Sequence, residues 1–347
     1  MSPELRKRLG SPPEQKSPSD GPLLSVVVPC FNEQEVIRNT NEELLAVLGA
    51  LPLRFEIIYV DDGSTDLTSD ILRESAALDE RLRILRLSRN FGHQMAITAG
   101  LESAAGDAVV IIDADLQDPP EVITDFVKKW ISGYDIVYGV RTERNGESTF
   151  KLWTAKLFYR VISRLSDTNL PLDAGDFRLM DRRVVDALLS MPERDRFVRG
   201  MVSWLGFSQA AVPYCRAPRF AGTTKYPLCR MLRFAADGIA SFSIVPLRIA
   251  AWLGFFASGL SLVGIIVVLL ERYLHVWGLV RGWSSTVIAI LFMGGVQLMC
   301  LGIIGEYVGR IYGETKRRPL YIVRERIGFE AKTAAPLSIR QRAGGDR

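Results

Sequence analysis

Over the first 140 residues, short runs of β-branched and apolar residues alternate with longer stretches whose apolar positions recur at helical spacing. Leu24-Ser25-Val26-Val27-Val28-Pro29 reads as a strand stopped by proline. Glu33 to Leu51, with Val36, Leu44, Leu45 and Leu48 on one stripe, reads as the helix after it. The unit recurs as the strand Phe55 to Val60, the turn Asp61-Asp62-Gly63-Ser64-Thr65-Asp66 and a helix through Leu72. Arg83 to Leu87 is a third strand, Gln94 to Ala105 a third helix and Ala108 to Ile112 a fourth strand. Pro119-Pro120-Glu121 opens a helix through Phe126 and Trp130, which leads to the strand Asp135 to Gly139. This order predicts an α/β fold, a mostly parallel, Rossmann-like sheet with helices on both faces.

Beyond residue 150 the pattern changes. Phe150 to Leu165 carries Trp153, Phe158 and Tyr159 at amphipathic spacing, which suits either core packing or a place near a membrane surface. Pro227 to Val245 is a second amphipathic stretch, expected at a bilayer interface. Ile249 to Leu270 then runs for about 22 positions without a charge, and Thr286 to Gly305 for about 20. As helices rising ~1.5 Å per residue, both reach across ~30 Å of hydrocarbon.

Charge gives this pair a direction. Arg230, Arg233 and Arg248 precede it and Arg310, Lys316, Arg317 and Arg318 follow it, whereas the loop Glu271 to Ser285 has only Arg272 and Arg281. The positive-inside rule therefore predicts a multi-pass membrane protein whose hairpin ends, and large amino-terminal domain, face the cytosol. Met1 to Asp20, polar and rich in Pro and Ser, lacks the apolar core of a signal peptide and is expected to be disordered. The expected organisation is a tail over 1–22, the α/β domain over 23–226, an interfacial segment over 227–246, two membrane helices within 247–310 and a cytosolic tail over 311–347.

Composition adds little to this. Of 347 residues 48% are hydrophobic, with a mean hydropathy of +0.13, and the excess lies in the two uncharged runs. The net charge of +4 sits largely beside those runs, where it favours membrane lipids over nucleic acid. Cys30, Cys215, Cys229 and Cys300 show no CxxC spacing, so neither a zinc site nor a disulfide framework is suggested. Small residues at Gly294-Gly295 and Gly302 allow close helix approach, which suits oligomer formation through the two helices.

The chemistry begins at Asp113-Ala114-Asp115-Leu116-Gln117-Asp118, directly after the apolar run Ala108 to Ile112. Acidic side chains thereby stand at the carboxyl end of a buried strand, where an open α/β sheet holds its ligand. If the extended geometry continues, Asp113, Asp115 and Gln117 project to one side, a hard-oxygen set suited to Mg²⁺ or Mn²⁺ shared with substrate phosphates. That points to a nucleotide diphosphate. Asp118, before Pro119, fits a helix cap better. Asp61 and Asp62 serve as ligand contacts, as Asx-turn acceptors, or as both. Arg141 follows the fifth strand, where a bidentate guanidinium suits a phosphate. His93 begins a helix and either caps it or approaches the ligand, and with only His275 besides, a histidine metal site is not expected.

Together, Pro29-Cys30-Phe31-Asn32-Glu33, Asp61 to Asp66 and Asp113-Ala114-Asp115-Leu116-Gln117-Asp118-Pro119-Pro120-Glu121 resemble, in order and spacing, the signatures of family 2 glycosyltransferases with the GT-A fold. Gly175-Asp176-Phe177-Arg178-Leu179, Arg219-Phe220-Ala221-Gly222-Thr223-Thr224-Lys225-Tyr226 and the two apolar runs narrow the resemblance, over about residues 23 to 325, to polyprenyl-phosphate glycosyltransferases. These include the GtrB-like and ArnC-like bacterial enzymes and the dolichol-phosphate mannose synthases, and the GtrB-like resemblance implies a homo-oligomer. The resemblance implies a nucleoside pocket lined by Pro29, Phe31, Glu33, Val60 and Asp62, with Phe31 where the family often has Tyr. It implies metal at Asp115 and Gln117, Asp113 facing metal or donor ribose, and Ala114 leaving room for close backbone approach. Arg141 would meet the donor diphosphate or the acceptor phosphate. Arg219 and Lys225 would collect the phosphate of a lipid whose tail stays in the bilayer. Asp176 would lie near the acceptor, as a base or as an orienter of cations such as Arg178, although a phosphate acceptor is already anionic and needs little deprotonation.

The expected activity is metal-dependent, inverting transfer of a hexose from a nucleotide sugar to polyprenyl phosphate at the cytosolic face. Uridine diphosphate glucose (UDP-glucose) is the expected donor, because the Arg89-Asn90-Phe91-Gly92 stretch and the two helices resemble GtrB-like enzymes more than mannose synthases, with guanosine diphosphate mannose (GDP-mannose) open. A processive polysaccharide synthase would have more spans and a QxxRW-type motif. A non-catalytic nucleotide-binding scaffold would not need Asp113, Asp115, Gln117, Arg141, Arg219 and Lys225 intact.

Overall fold

The computed structural model describes residues 21–141, 174–215, 245–274 and 283–329. The first half is a strict alternation of β1 (Leu23–Cys30), α1 (Ile37–Gly49), β2 (Arg54–Asp61), α2 (Thr68–Leu78), β3 (Leu82–Leu87), α3 (His93–Ser103), β4 (Ala108–Ile111), α4 (Val122–Ile131) and β5 (Ile136–Arg141). There follow β6 (Ala174–Asp181), α5 (Arg182–Ser190), α6 (Val198–Trp204), β7 (Gln209–Tyr214), the long helices α7 (Val245–Leu274) and α8 (Trp283–Thr315), and β8 (Val323–Ile327).

The eight strands form one sheet in the order β7-β5-β6-β4-β1-β2-β3-β8. β3, β2, β1 and β4 are mutually parallel. β6 lies antiparallel between β4 and β5, which restores the common direction in β5 and in β7 beside it. Strand alternation sorts the core into two layers. Val26, Val28, Ile57 and Tyr59 pack with α1, α2 and α4, whereas Val27, Ile58, Val60 and Leu85 pack with α3, α5 and α6. Covering on both faces explains why these strands are apolar throughout. This is the mostly parallel, two-faced α/β sheet that the sequence pattern predicts.

The carboxyl-terminal stretch corrects one expected boundary. Residues 311–347 are not a separate tail throughout, because β8 pairs antiparallel with the edge strand β3. Arg73 Nη2 holds Glu325 Oε2 at 2.6 Å and the Ser88 N–H donates to the Ile322 carbonyl at 2.9 Å. β3 is thus covered, and the short, charged β8 becomes the edge of the sheet.

α7 and α8 contain 30 and 33 residues, about 45 and 50 Å at 1.5 Å per residue. They meet where the Cys300 thiol approaches the Ala250 carbonyl at 3.4 Å. Among the described residues, Phe292–Thr315 is long and apolar enough to cross a membrane, and none of its apolar window is buried; Ala250–Gly264 is a shorter apolar stretch. Trp252, Phe255, Leu298 and Leu301 are exposed on these helices. The far end of α8 is tied to the α/β domain, with the Arg194 N–H donating to Glu314 Oε1 at 2.8 Å and Arg310 Nη1 on Asp195 Oδ2 at 3.2 Å. Met1 to Asp20, Phe150 to Leu165, Arg219, Lys225 and the stretch from Pro227 up to α7 lie outside the described residues.

Candidate active site

Because β1, β2, β4, β5 and β7 run the same way, their carboxyl ends share one edge of the sheet, and β6, running the other way, begins there. Cys30, Asp61, the Asp113 turn, Arg141, Asp176 and Tyr214 are assembled at that edge by topology alone. Ligands of open α/β sheets bind outside such an edge.

On the β1 and β2 side the polar residues are tied to one another. Asn32 sits in the left-handed region at φ 57°. Its N–H donates to Ser64 Oγ at 3.0 Å and its side-chain oxygen accepts from the Thr65 N–H at 2.9 Å. The Glu33 N–H donates to Thr68 Oγ1 at 2.9 Å and the Leu67 N–H to Gln34 Oε1 at 3.1 Å. Asp61 is wholly buried and accepts from the Ser64 N–H at 2.8 Å and from Ser69 Oγ, with Arg86 Nε at 3.4 Å. Asp62 accepts the Phe91 and Gly92 N–H groups at 2.7 and 2.8 Å; burial nevertheless keeps its pKa above the ordinary value. Gly63, at φ +73°, lies so close to the next loop that a Cβ would come within 2.5 Å of the Arg89 carbonyl carbon. No other residue fits there.

These contacts revise the expected nucleoside wall. Pro29 and Val60 are buried, and alternation turns the Val60 side chain into the α3 layer, so neither lines a pocket with its side chain. Phe31, 41% exposed, and Glu33, partly exposed, are the members of that set that present side-chain surface.

The acidic turn departs from a continued strand. β4 ends at Ile111 and the chain bends at Leu116, φ 55°, so Asp113, Asp115 and Gln117 do not share one face by simple alternation. The Gln117 N–H donates to Asp115 Oδ1 at 3.2 Å and closes the turn. Ala114 is buried in the core, and its carbonyl accepts from Thr40 Oγ1 at 2.7 Å; it anchors the turn rather than opening it to a ligand. Asp113 Oδ1 and Gln117 Oε1 are buried acceptors without a hydrogen bond. Burial pushes Asp113 up to about 6, with His93 opposing and the nearby carboxylates adding to the rise. Unsatisfied buried oxygens are costly, and two hard ones four residues apart in one bend fit a divalent cation. Among the described residues no three His, Cys, Asp or Glu side chains close around a point. Two carboxylates and one amide oxygen would leave the remaining positions of a six-coordinate cation to substrate oxygens and water.

Asp118 is not the cap of α4. It is 1% exposed and accepts the Tyr214 hydroxyl at 2.5 Å, while Arg141 Nη2 stands 3.7 Å from the same oxygen. Arg141 Nε donates to Tyr214 Oη at 3.2 Å. Burial, then the charge of Asp118, pushes the Tyr214 hydroxyl up to about 12, so it stays a donor. The Arg141 guanidinium lies over Gly175, where a Cβ would meet Nη2 at 3.3 Å. Tyr214 and Asp118 thus fix the one arginine at the end of β5 in place.

Asp176 is the anchor of a second, larger network. Arg199 holds it bidentately, Nε to Oδ1 at 2.7 Å and Nη2 to Oδ2 at 3.0 Å. His93 Nε2 lies 3.3 Å from Asp176 and 3.6 Å from Asp113, and Gln94 Nε2 reaches Asp176 at 3.4 Å. Burial favours the neutral acid, but His93, Arg199 and Arg178 outweigh it and hold Asp176 well below the usual carboxylate range. Burial also lowers His93, yet Asp176 and Asp113 leave it above its ordinary value. Arg178 is buried, which brings it down to about 10, and it donates to the Gly175 carbonyl at 2.9 Å. A carboxylate so held is a poor base and a good orienter.

A Bacillus subtilis (strain 168) protein, uncharacterized glycosyltransferase YkcC, is 49% identical to this chain over 89% of it and 95% of the relative. Residues 25–189 match the model of glycosyl transferase family 2. The chain belongs to glycosyl transferase family 2. In this glycosyltransferase, residues 245–311 match a second model, the GtrB C-terminal hairpin, which takes in most of α7 and α8. Uncharacterized glycosyltransferase sll0501 of Synechocystis sp. is 47% identical over 88% of the chain and 96% of its own length. The bactoprenol glucosyl transferase of Shigella phage SfV is 40% identical over 87% and 98%.

Of the residues singled out in the sequence of the glycosyltransferase, Asp113, Asp115, Gln117, Arg141 and Asp176 converge at the sheet edge, as does His93. Arg199 and Tyr214 were not visible in the sequence. Each is one of many arginines or tyrosines, without a motif, and joins the site only because β6 and β7 fold back beside β4 and β5.

Proposed function

We propose that this glycosyltransferase moves glucose from UDP-glucose to a polyprenyl phosphate on the cytosolic side of a membrane that α7 and α8 cross as a hairpin. The observation that carries the reading is the likeness to a bactoprenol glucosyl transferase across catalytic domain and hairpin together, at 40% identity over 87% of the chain. Phe31 and Glu33 would face the nucleoside. Asp113, Asp115 and Gln117 would hold Mg²⁺ or Mn²⁺, which when bound supplies positive charge to the leaving nucleotide diphosphate. Arg141, fixed by Tyr214 and Asp118, adds a preorganised guanidinium on the donor side. The lipid phosphate is already anionic, so its oxygen attacks the anomeric carbon in line without a strong base, and Asp176 serves by orienting cations. In-line attack inverts the anomeric centre, so an α-linked donor gives a β-linked lipid phosphosugar. Arg219 and Lys225 are assigned to drawing the lipid phosphate in.

Radiolabel transfer into extractable lipid tests this, with purified protein, undecaprenyl phosphate, Mg²⁺ or Mn²⁺ and a panel of UDP-glucose, GDP-mannose and other nucleotide sugars. Transfer from UDP-glucose alone, abolished by chelator and by Asp115→Ala, is the expected result. Transfer from GDP-mannose instead would reassign the donor, and nucleotide binding without any transfer would favour the scaffold.

A further inference from the structure

Two arginines flank the start of β6, and they are anchored differently. Arg141 is fastened to Asp118, within the acidic turn. Arg199 is fastened to Asp176 from the first turn of α6. Both anchoring carboxylates are almost completely buried, yet the two arginine side chains remain 29% and 33% exposed. Each guanidinium is thus held rigidly while still showing a face to the site.

The cations here are crowded. Arg178, Arg199 and His93 surround the single carboxylate of Asp176, and Arg199 is near enough to Arg141 to oppose its charge. Gathering like charges in a partly desolvated edge costs free energy unless an anion joins them. The chemistry calls for two anions, a diphosphate and a phosphate, and the site has two separately anchored guanidiniums.

The placement of Arg199 decides between them. The segment leading into α6 is bound to the end of α8, through the Arg194 N–H on Glu314 and Asp195 on Arg310. Arg199 is therefore mounted four residues from the contact with the helix that leaves the membrane. A phosphate tethered to a lipid tail enters from the membrane side, whereas a soluble nucleotide sugar does not.

We infer that Arg199, oriented by its bidentate pairing with Asp176, binds the phosphate of the lipid acceptor, while Arg141 serves the donor diphosphate. The inference rests on the polyprenyl-phosphate reading of the site. It also gives Asp176 a defined task, that of aiming a guanidinium, in place of proton removal.

Steady-state kinetics of the full-length protein with undecaprenyl phosphate and UDP-glucose test it, comparing Arg199→Lys with Arg141→Lys. Replacing a bidentate fork by a point charge should raise the acceptor KM of the Arg199 variant about tenfold and leave its donor KM within about twofold. Arg141→Lys should do the reverse. Equal rises in both constants for Arg199→Lys, or an unchanged acceptor KM, would overturn the inference. Should Arg199→Lys lack a cooperative melting transition, Asp176→Asn decides, because it keeps an acceptor oxygen but loosens Arg199; an acceptor KM raised about threefold or more supports the inference and an unchanged one refutes it. Calorimetric titration with dodecyl phosphate, which requires no turnover, separates failure of the functional reading from failure of the inference. A wild type that makes no lipid product but binds dodecyl phosphate through Arg199 loses the reaction and keeps the site; binding that Arg199→Lys leaves unchanged removes the site.

Discussion

The two halves of the sheet edge treat their polar groups in opposite ways. At the ends of β1 and β2, Asn32, Gln34, Asp61, Asp62 and Asp66 bond to backbone N–H groups and hydroxyls of the neighbouring loops. At the end of β4, Asp113 and Gln117 keep buried oxygens without a hydrogen bond. The first half ties its carboxylates and amides into the loops; the second keeps two acceptor oxygens without a hydrogen bond, with His93 3.6 Å from one of them. On the proposed mechanism, similar acidic motifs in one chain do different work, one chiefly in stability and the other in binding.

Asp113→Asn should break the comparison most sharply. On the proposed mechanism it removes one hard oxygen from the metal set and lowers lipid glucosylation by a factor on the order of 10³. Because Asp113 Oδ1 lacks a hydrogen bond and its pKa is raised, loss of the charge costs little and the melting temperature without metal should hold or rise. A variant that both melts early and transfers normally would place Asp113 on the structural side instead.

Asp61→Ala should do the opposite. It strands Arg86, the Ser64 N–H and the Ser69 hydroxyl, for a loss of about 3 kcal/mol in urea unfolding, with turnover per folded molecule changed by less than about threefold. Tyr214→Phe lies between the two, since it deletes one hydroxyl shared by Asp118 and Arg141. A fall in kcat of about fivefold with little change in stability is expected, and a rise in acceptor KM alone would move Arg141 away from the donor.

The smallest effect is on the pH dependence of stability. Asp176 is held below the ordinary carboxylate range, so its pairing contributes stability above about pH 4 and loses it as pH falls further. Between pH 5 and pH 3 the wild type should therefore lose more melting temperature than Asp176→Asn. Parallel curves for the two would show that the pair carries no linked proton.

The alternation through residue 141 was legible because strand and helix periodicities are local, and each unit from β1 to β5 announced its own apolar face. Element ends moved by a few residues where turns intervened, as at Leu116. β6 was legible only as a motif, Gly175 to Leu179, and its antiparallel place between β4 and β5 was not. β8 was not legible at all, since Val-Arg-Glu-Arg-Ile gains its partner from an edge strand far back in the chain.

By itself, then, the sequence determined the α/β alternation, the two long apolar helices and the acidic turn at the end of a buried strand, because each is written in neighbouring residues. Tertiary structure decided which carboxylates are spent on loops, which are left open, and that Arg199 and Tyr214 join Asp176 and Asp118. Those pairings span 23 and 96 positions, and whether a buried oxygen finds a partner depends on what strand order brings beside it.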